Sequence, residues 1–426
     1  MRILIKNIHA LLADGTTPET NICIDGSKIS HIGEVPENFR PAKIIDGTNR
    51  FAVPGFVNAH THASMTLLRS YADDMELMDW LNGMIWPAEA KMKRADIYWG
   101  AMLAALEMIQ SGTTTFADMY GPCMDEVASV VADSGLRAVL SRGLIGIASD
   151  ADQKLAENVT LYKDFNGAAD GRITVMFSPH APYTCPPDYM KKVAKEAQAL
   201  GAKIHIHMHE TKTEIKDSVK AYGKRPFTWV AETGLFDGGA AVAAHCVHLD
   251  ESDIAVMKKY EIRAVHNPGS NMKLASGIAP VPKLFKEGIC VALGTDGASS
   301  NNNLDMLEET NLAALLHKVD TFDPLSVPAL EALKMATEYG AKALSIKNLG
   351  VLSEGNSADI TLFCTEGSAW CPKNNLVSLL VYSANASSVD TVLVDGKVLM
   401  EKKELKTLDE ERILYEAQRS ADRLTH

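Results

Sequence analysis

Eight short apolar runs, separated by longer segments of mixed polarity, constrain the fold of this chain more than any other feature. They fall at residues 53–59, 113–118, 136–141, 173–178, 203–207, 241–245, 262–266 and 289–296. Helix-like patterns follow most of them, for example over residues 188–200 and 329–344. Short apolar runs alternating with such segments are the pattern of βα units around a parallel sheet. Eight units in succession predict a (β/α)8 TIM barrel.

The two ends of the chain follow another pattern. Residues 2–35 hold short β-rich runs punctuated by Asp25-Gly26, a hairpin-turn signal. Residues 357–400 do the same, with runs at 358–363 and 391–399 and a turn at Asp395-Gly396. The ends are expected to form one small β-sandwich domain from residues 1–54 and 351–407, resting on a barrel over 55–350. Residues 408–423 read as an amphipathic helix within a C-terminal segment, 408–426.

A chain of 426 residues can bury a large core and form more than one domain. Its formal net charge of −12 and the absence of any basic run argue against a nucleic-acid partner. The N-terminus lacks the apolar region and cleavage site of a signal peptide, and no apolar stretch is long enough to span a bilayer. No membrane partner is expected. The seven cysteines are odd in number, scattered, and contain no Cys-x-x-Cys. They read as reduced thiols in a cytoplasm.

In a (β/α)8 barrel function sits at the C-terminal ends of the strands, and polar residues collect there in this chain. The first run leads into His60-Thr61-His62. Residues i and i+2 of a strand share a side, so the two imidazoles are spaced to grip one metal ion. Left unpaired against a core they would be costly. The third run ends in Ser141-Arg142 and the fourth in His180. The fifth carries His205, His207, His209 and then Glu210, and the sixth ends in His245. The seventh ends in His266-Asn267 and the eighth in Thr295-Asp296-Gly297.

A catalytic zinc takes His and carboxylate ligands and keeps a position for water. His60, His62, one histidine of the fifth run and Asp296 supply such a set. Parity leaves His205, His207 and His209 open, because all three share one face. Position favours His207, with His205 deeper in the strand and His209 entering the loop. A neighbouring carboxylate and a neutral histidine would move protons. The combination reads as metal-assisted hydrolysis or deamination.

The chain resembles the amidohydrolase superfamily, in its cytosine-deaminase and chlorohydrolase branch. It is most similar there to the 5-methylthioadenosine/S-adenosylhomocysteine deaminases. The motifs are Pro54-Gly-Phe-Val-Asn-Ala-His-Thr-His62, Ile85-Trp-Pro-Ala-Glu89, His207-Met-His-Glu210, Ala244-His-Cys-Val-His248, Asn271-Met-Lys-Leu-Ala-Ser276, Gly294-Thr-Asp-Gly297 and Asn301-Asn-Asn-Leu-Asp305. They cover nearly the whole barrel in the family's order.

The resemblance implies one divalent metal per chain, zinc, held by His60, His62, His207 and Asp296. It implies that Glu210 shuttles a proton to a purine ring nitrogen. It implies that His245 holds the hydrolytic water or the developing oxyanion, and that Asp296 also takes the water's proton. Glu89 is implied as the acceptor of ribose hydroxyls, Arg142 as the basic residue facing the substrate's tail, and His180 as a further substrate contact. The implied reaction is hydrolytic deamination of a small-molecule adenine nucleoside, 5′-methylthioadenosine or S-adenosylhomocysteine, to the inosine analogue and ammonia. A homo-oligomer is compatible with this reading.

One departure bears on the substrate. The homocysteine-accepting members place a second arginine shortly after the first, whereas residues 143–171 here contain no arginine, only Lys154 and Lys163. One arginine fork holds a carboxylate less firmly than two. An uncharged 5′-modified adenosine is therefore favoured over S-adenosylhomocysteine.

Each sharp assignment has a plainer counterpart. His9, His31, His317 and His426 read as surface or packing residues, His205 as a hydrogen-bonded barrel-interior residue and His209 as a loop residue. His248 is open between a cap and a contact behind the ligands, and His266 between the pocket wall and a backbone hydrogen bond. Glu89 could be a helix-surface carboxylate and Arg142 could close a salt bridge at the barrel rim. Met65, Leu67, Trp80 and Trp86 could line an apolar pocket or pack in the core. The alternative functions are a guanine deaminase, a triazine or chlorohydrolase, or an N-formimino hydrolase of the same branch. A non-catalytic scaffold is the third reading, and retention of all four ligands with Glu210 and His245 counts against it.

Overall fold

The computed structural model describes residues 1–425. His426 lies outside the described residues. The barrel strands are Phe56–Thr61, Thr113–Tyr120, Arg137–Leu144, Ile173–Val175 resumed at Ser178–Pro179, His205–Met208, Val242–His245, Arg263–His266 and Val291–Leu293. The first four pair in parallel, and so do the last four. A parallel bridge from Phe177 to Ile204 joins the two arcs, and the ring closes where the Asp296 N–H donates to the His60 carbonyl at 2.9 Å. The predicted (β/α)8 barrel is the observed fold. Strand alternation fills it: Val57, Ala59, Ala117, Val139, Val242 and Val265 belong to the interior cluster, while Phe56, Phe116, Ala138, Ala243 and Ala264 pack with the surrounding helices.

Three predicted elements differ from the structure for local reasons. The run at 53–59 is two strands. Arg50–Pro54 belongs to the terminal sheet and Phe56–Thr61 to the barrel. Between them a Cβ on Gly55 would lie 2.1 Å from Thr114 Cγ2, so the chain passes there only as glycine. The helix predicted at 329–344 divides into Ala329–Met335 and Glu338–Ala343 around Thr337, whose φ of −133° and ψ of −90° are not helical. The eighth run is a strand only over Val291–Leu293, and Asp296 takes a φ of 62°. That left-handed residue leaves strand geometry just where its carboxyl is needed.

Both ends of the chain join one nine-stranded sheet, in which Arg50–Pro54 lies between Arg2–Ala10 and Ile360–Cys364. Period two divides its side chains. Ile3, Ile5, Ala52, Ile360 and Leu393 form the sheet's own core, whereas Phe51, Val53, Phe363 and Val392 join the barrel cluster. Both predicted turns are present, and they touch. Asp395 and Gly396 have φ of 48° and 68°, and a Cβ on Gly396 would fall 2.2 Å from the Gly26 carbonyl oxygen. Arg137, at the start of the third barrel strand, pairs with Asp359 at 3.1 Å and Asp395 at 2.6 Å and ties barrel to sheet. We propose residues 1–54 and 351–407 as one unit and 55–350 as the barrel; the sheet's separate core supports this division. The helix Glu410–Thr425 lies along the barrel helix Arg94–Gln110, burying Ile413, Ala417 and Leu424. Among the described residues no helix is long and apolar enough to cross a membrane.

Candidate active site

Four side chains from three strand ends converge at the mouth of the barrel. His60 Nε2 lies 3.4 Å and His62 Nε2 3.1 Å from Asp296 Oδ1, and His207 Nε2 lies 3.4 Å from His62 Nε2. Their ligand atoms all fall within 4.8 Å of one another. Each imidazole is aimed by its other nitrogen. His62 Nδ1 donates to the Met119 carbonyl, His207 Nδ1 donates to the His180 carbonyl at 2.8 Å, and His60 Nδ1 meets His205 Nε2 at 2.9 Å. A carbonyl only accepts, so His62 and His207 carry the proton on Nδ1 and turn the Nε2 lone pair inward. His60 Nε2 is buried without a hydrogen-bond partner. Three converging imidazole nitrogens, one of them orphaned, and a carboxylate oxygen fit a divalent cation of zinc type.

Asp296 is held from the opposite side. Its Oδ2 accepts from Ser270 Oγ at 2.7 Å and Ser300 Oγ at 2.9 Å, and its Oδ1 from the Gly297 N–H at 2.8 Å. Burial pushes this carboxyl up, but the imidazoles of His60 and His62 beside it outweigh burial and hold it well below the usual carboxylate range. The group is therefore ionised and remains an acceptor.

The fifth strand sorts its histidines by depth and by one backbone rotation. His205 sits below the group, hydrogen-bonded to His60, and His207 enters it. His209 lies just past the strand, as expected of a loop residue, but it is fully buried. Its φ of 57° swings the ring away from the shared face. There it stacks on Phe227 at 4.8 Å, and its Nδ1 donates to the His248 carbonyl at 3.1 Å. Glu210 follows, with Oε2 3.8 Å from His245 Nε2 and Oε1 3.4 Å from Ser276 Oγ. Burial raises the Glu210 carboxyl above its ordinary range. A carboxyl raised in this way can both hold and release a proton. His245 donates from Nδ1 to Asn271 Oδ1 at 2.9 Å, which leaves Nε2 facing Glu210.

A cavity opens over this floor. Glu89 is on its wall, not on a helix surface, and accepts from Tyr120 Oη at 2.8 Å; burial raises its carboxyl. Arg142 is on the wall as well. Its Nε donates to Glu157 Oε2 at 2.9 Å and its Nη1 to the Gly143 carbonyl at 2.9 Å. His180 faces the same space, with Nδ1 2.9 Å from Thr184 Oγ1. Met65, Trp80 and Trp86 line it too, whereas Leu67 packs under the C-terminal helix.

Two further histidines resolve. His266 is not a pocket wall: its neighbour Val265 points into the barrel, so its own ring points out, 5.0 Å from the buried ring of His317. His248 donates to the Ser276 carbonyl at 2.8 Å and so braces the segment that brings Ser276 to Glu210. The sequence alone gives no role to Tyr120, Ser270, Asn271 or Ser300. Tyr120 ends the second strand two residues beyond the predicted run, and a longer strand would have placed it at the polar rim. Asn271 and Ser276 stand in a quoted motif, but nothing local names their partners.

The sequence signature of the amidohydrolase family matches residues 51–399. The chain belongs to the amidohydrolase family. This amidohydrolase is 54% identical over 416 residues to a 5-methylthioadenosine/S-adenosylhomocysteine deaminase of Pelotomaculum thermopropionicum, covering 97% of this chain and 96% of that protein. A deaminase of the same name from Syntrophomonas wolfei is 49% identical over 430 residues, covering 100% of this chain and 99% of that one. A zinc-bound adenosine deaminase from Xanthomonas campestris superposes on this amidohydrolase with a TM-score of 0.94 at 32% identity, covering 99% of this chain and 98% of that one. An atrazine chlorohydrolase from Arthrobacter aurescens TC1 shares the fold, with a TM-score of 0.92 at 24% identity over 98% of this chain and 100% of that one.

Proposed function

We propose that this amidohydrolase deaminates 5′-modified adenine nucleosides, with 5′-methylthioadenosine preferred and S-adenosylhomocysteine accepted. The observation that carries this reading is the pairing of Glu210 and His245, 3.8 Å apart, beside a His-His-His-Asp group on the floor of a cavity walled by Glu89 and Arg142. The names of the relatives point the same way.

His60, His62, His207 and Asp296 would hold one divalent ion, zinc by the donor set, which supplies Lewis acidity when bound. The protein's own groups then divide the work. Water adds to C6 of the purine, the C6–N bond breaks, and ammonia leaves. Asp296, kept ionised by its partners, accepts the proton that water gives up and then passes it to the amino group, which leaves as ammonia. His245 keeps its Nδ1 proton on Asn271 and turns Nε2 to accept a hydrogen bond from that water. Glu210 delivers a proton to the ring nitrogen beside C6 and takes one back from the C6 hydroxyl as the carbonyl of the product forms. Glu89, oriented by Tyr120, accepts from the ribose hydroxyls, and His180 borders the same space. The seven free cysteines support a reducing, cytoplasmic setting.

The substrate's tail would meet Arg142, whose charge Glu157 already answers in part. That pairing supports the preference for an uncharged 5′ substituent. Arg142→Met is expected to raise KM for S-adenosylhomocysteine by about 10-fold or more, the worth of one charge-assisted bond. KM for 5′-methylthioadenosine should stay within about twofold, since that substrate makes no such bond. Steady-state kinetics with both substrates reads this directly, and equal losses would make Arg142 structural.

A further inference from the structure

The turn that carries Glu210 is an unfavourable one. The chain leaves the fifth strand at Met208, and His209 then takes a φ of 57°, a region that side chains other than glycine rarely adopt. One buried carboxylate spans the turn. Glu214 accepts the His209 N–H on Oε1 at 2.9 Å and the Glu210 N–H on Oε2 at 2.8 Å. Glu214 is itself fixed, because its own N–H donates to Thr211 Oγ1 at 3.1 Å and so caps the helix Lys212–Tyr222. In an ordinary capping box the Glu at the third helical position reaches back to the N-H of the capping residue. Here it reaches further, to the two residues before the cap.

We propose that Glu214 is a positioning residue for proton transfer, aiming Glu210 through the backbone of this turn. The inference rests on the role proposed for Glu210. The two oxygens of Glu214 close a rigid fork on consecutive N–H groups. They hold the left-handed residue in place and set the direction in which the Glu210 side chain leaves the backbone. Glu210 reaches Ser276 at 3.4 Å and His245 at 3.8 Å, contacts that a small backbone shift would lose. A misplacement of about 1 Å at a reacting group can cost roughly 10²-fold in rate. Glu214 is 5% exposed and is absent from the cavity wall, so it acts on the substrate only through Glu210.

The test is a double-mutant cycle on the metal-loaded full chain with 5′-methylthioadenosine, comparing wild type, E210Q, E214Q and E210Q/E214Q. Glu214→Gln places an amide donor against one of the two N–H groups and breaks the fork. It is expected to lower kcat by about 10- to 100-fold with KM within about threefold and metal content unchanged. Once Glu210 is Gln, adding E214Q should change kcat by less than about twofold, because groups acting as one unit are not additive. Losses that multiply in the double mutant, or an E214Q enzyme with wild-type kcat beside an inactive E210Q, would overturn the inference while leaving Glu210 in place. Near-normal kcat in E210Q alone would overturn both. If E214Q does not accumulate folded and metal-loaded, Glu214→Ala, which sets no donor against the two N–H groups, is read in the same cycle with the same outcomes.

Discussion

Replacing Glu210 by Gln is expected to lower kcat by ~10²–10⁴-fold while the metal and the fold stay in place. Gln keeps the size of the side chain and can still face Ser276 and His245. It cannot carry a proton between water and the ring. Burial already lifts the Glu210 carboxyl above its ordinary range, which suits a group that must take up and give back a proton near neutrality. KM should change little, because the loss falls on the transition state. Metal content by elemental analysis and unfolding by circular dichroism check that only chemistry is lost. A mutant with near-normal kcat would remove Glu210 from the mechanism.

The second large effect is expected at the strand-five histidines. His207→Ala should abolish stable metal binding, since it removes one of four converging ligand atoms. His205→Ala should keep the metal but weaken it, because His205 only orients His60 through a 2.9 Å bond. Outer partners of metal-bound histidines are typically worth 10–100-fold in affinity. Elemental analysis after dialysis against a graded chelator separates the two variants. A metal-free His205 variant beside a metal-loaded His207 variant would reverse the assignment.

Much of this architecture is legible in the chain. The eight apolar runs mark the barrel because buried strands must be apolar, and the residues ending them mark the site because the barrel's function gathers at one rim. The gaps have physical causes. The expected domain boundary falls at Gly55, but the strand break there is hidden within the apolar run, and only the contact with Thr114 shows why a glycine stands at it. Strand parity put His209 with His207, but a single left-handed residue undoes parity. His266 was ambiguous only because the register of its strand was not fixed; with Val265 facing inward, His266 must face out. Asp296 depends on Ser270 and Ser300, which come from two short helices, one after the seventh strand and one after the eighth. Asn271, on the same short helix as Ser270, meets His245 from another strand's end, so no local pattern pairs them. Glu214 is the opposite case, since Thr211-Lys-Thr-Glu214 is a capping-box spacing beside a candidate site residue.

Ammonia release across a panel of bases and nucleosides, using the metal-loaded protein, bears on the whole reading at once. The expected result is one ammonia per 5′-methylthioadenosine consumed, with the inosine analogue as product. S-adenosylhomocysteine should turn over less efficiently, and free adenine poorly, because it offers no ribose to Glu89. Turnover of guanine or a triazine, with no ammonia from either 5′-methylthioadenosine or S-adenosylhomocysteine, would contradict it.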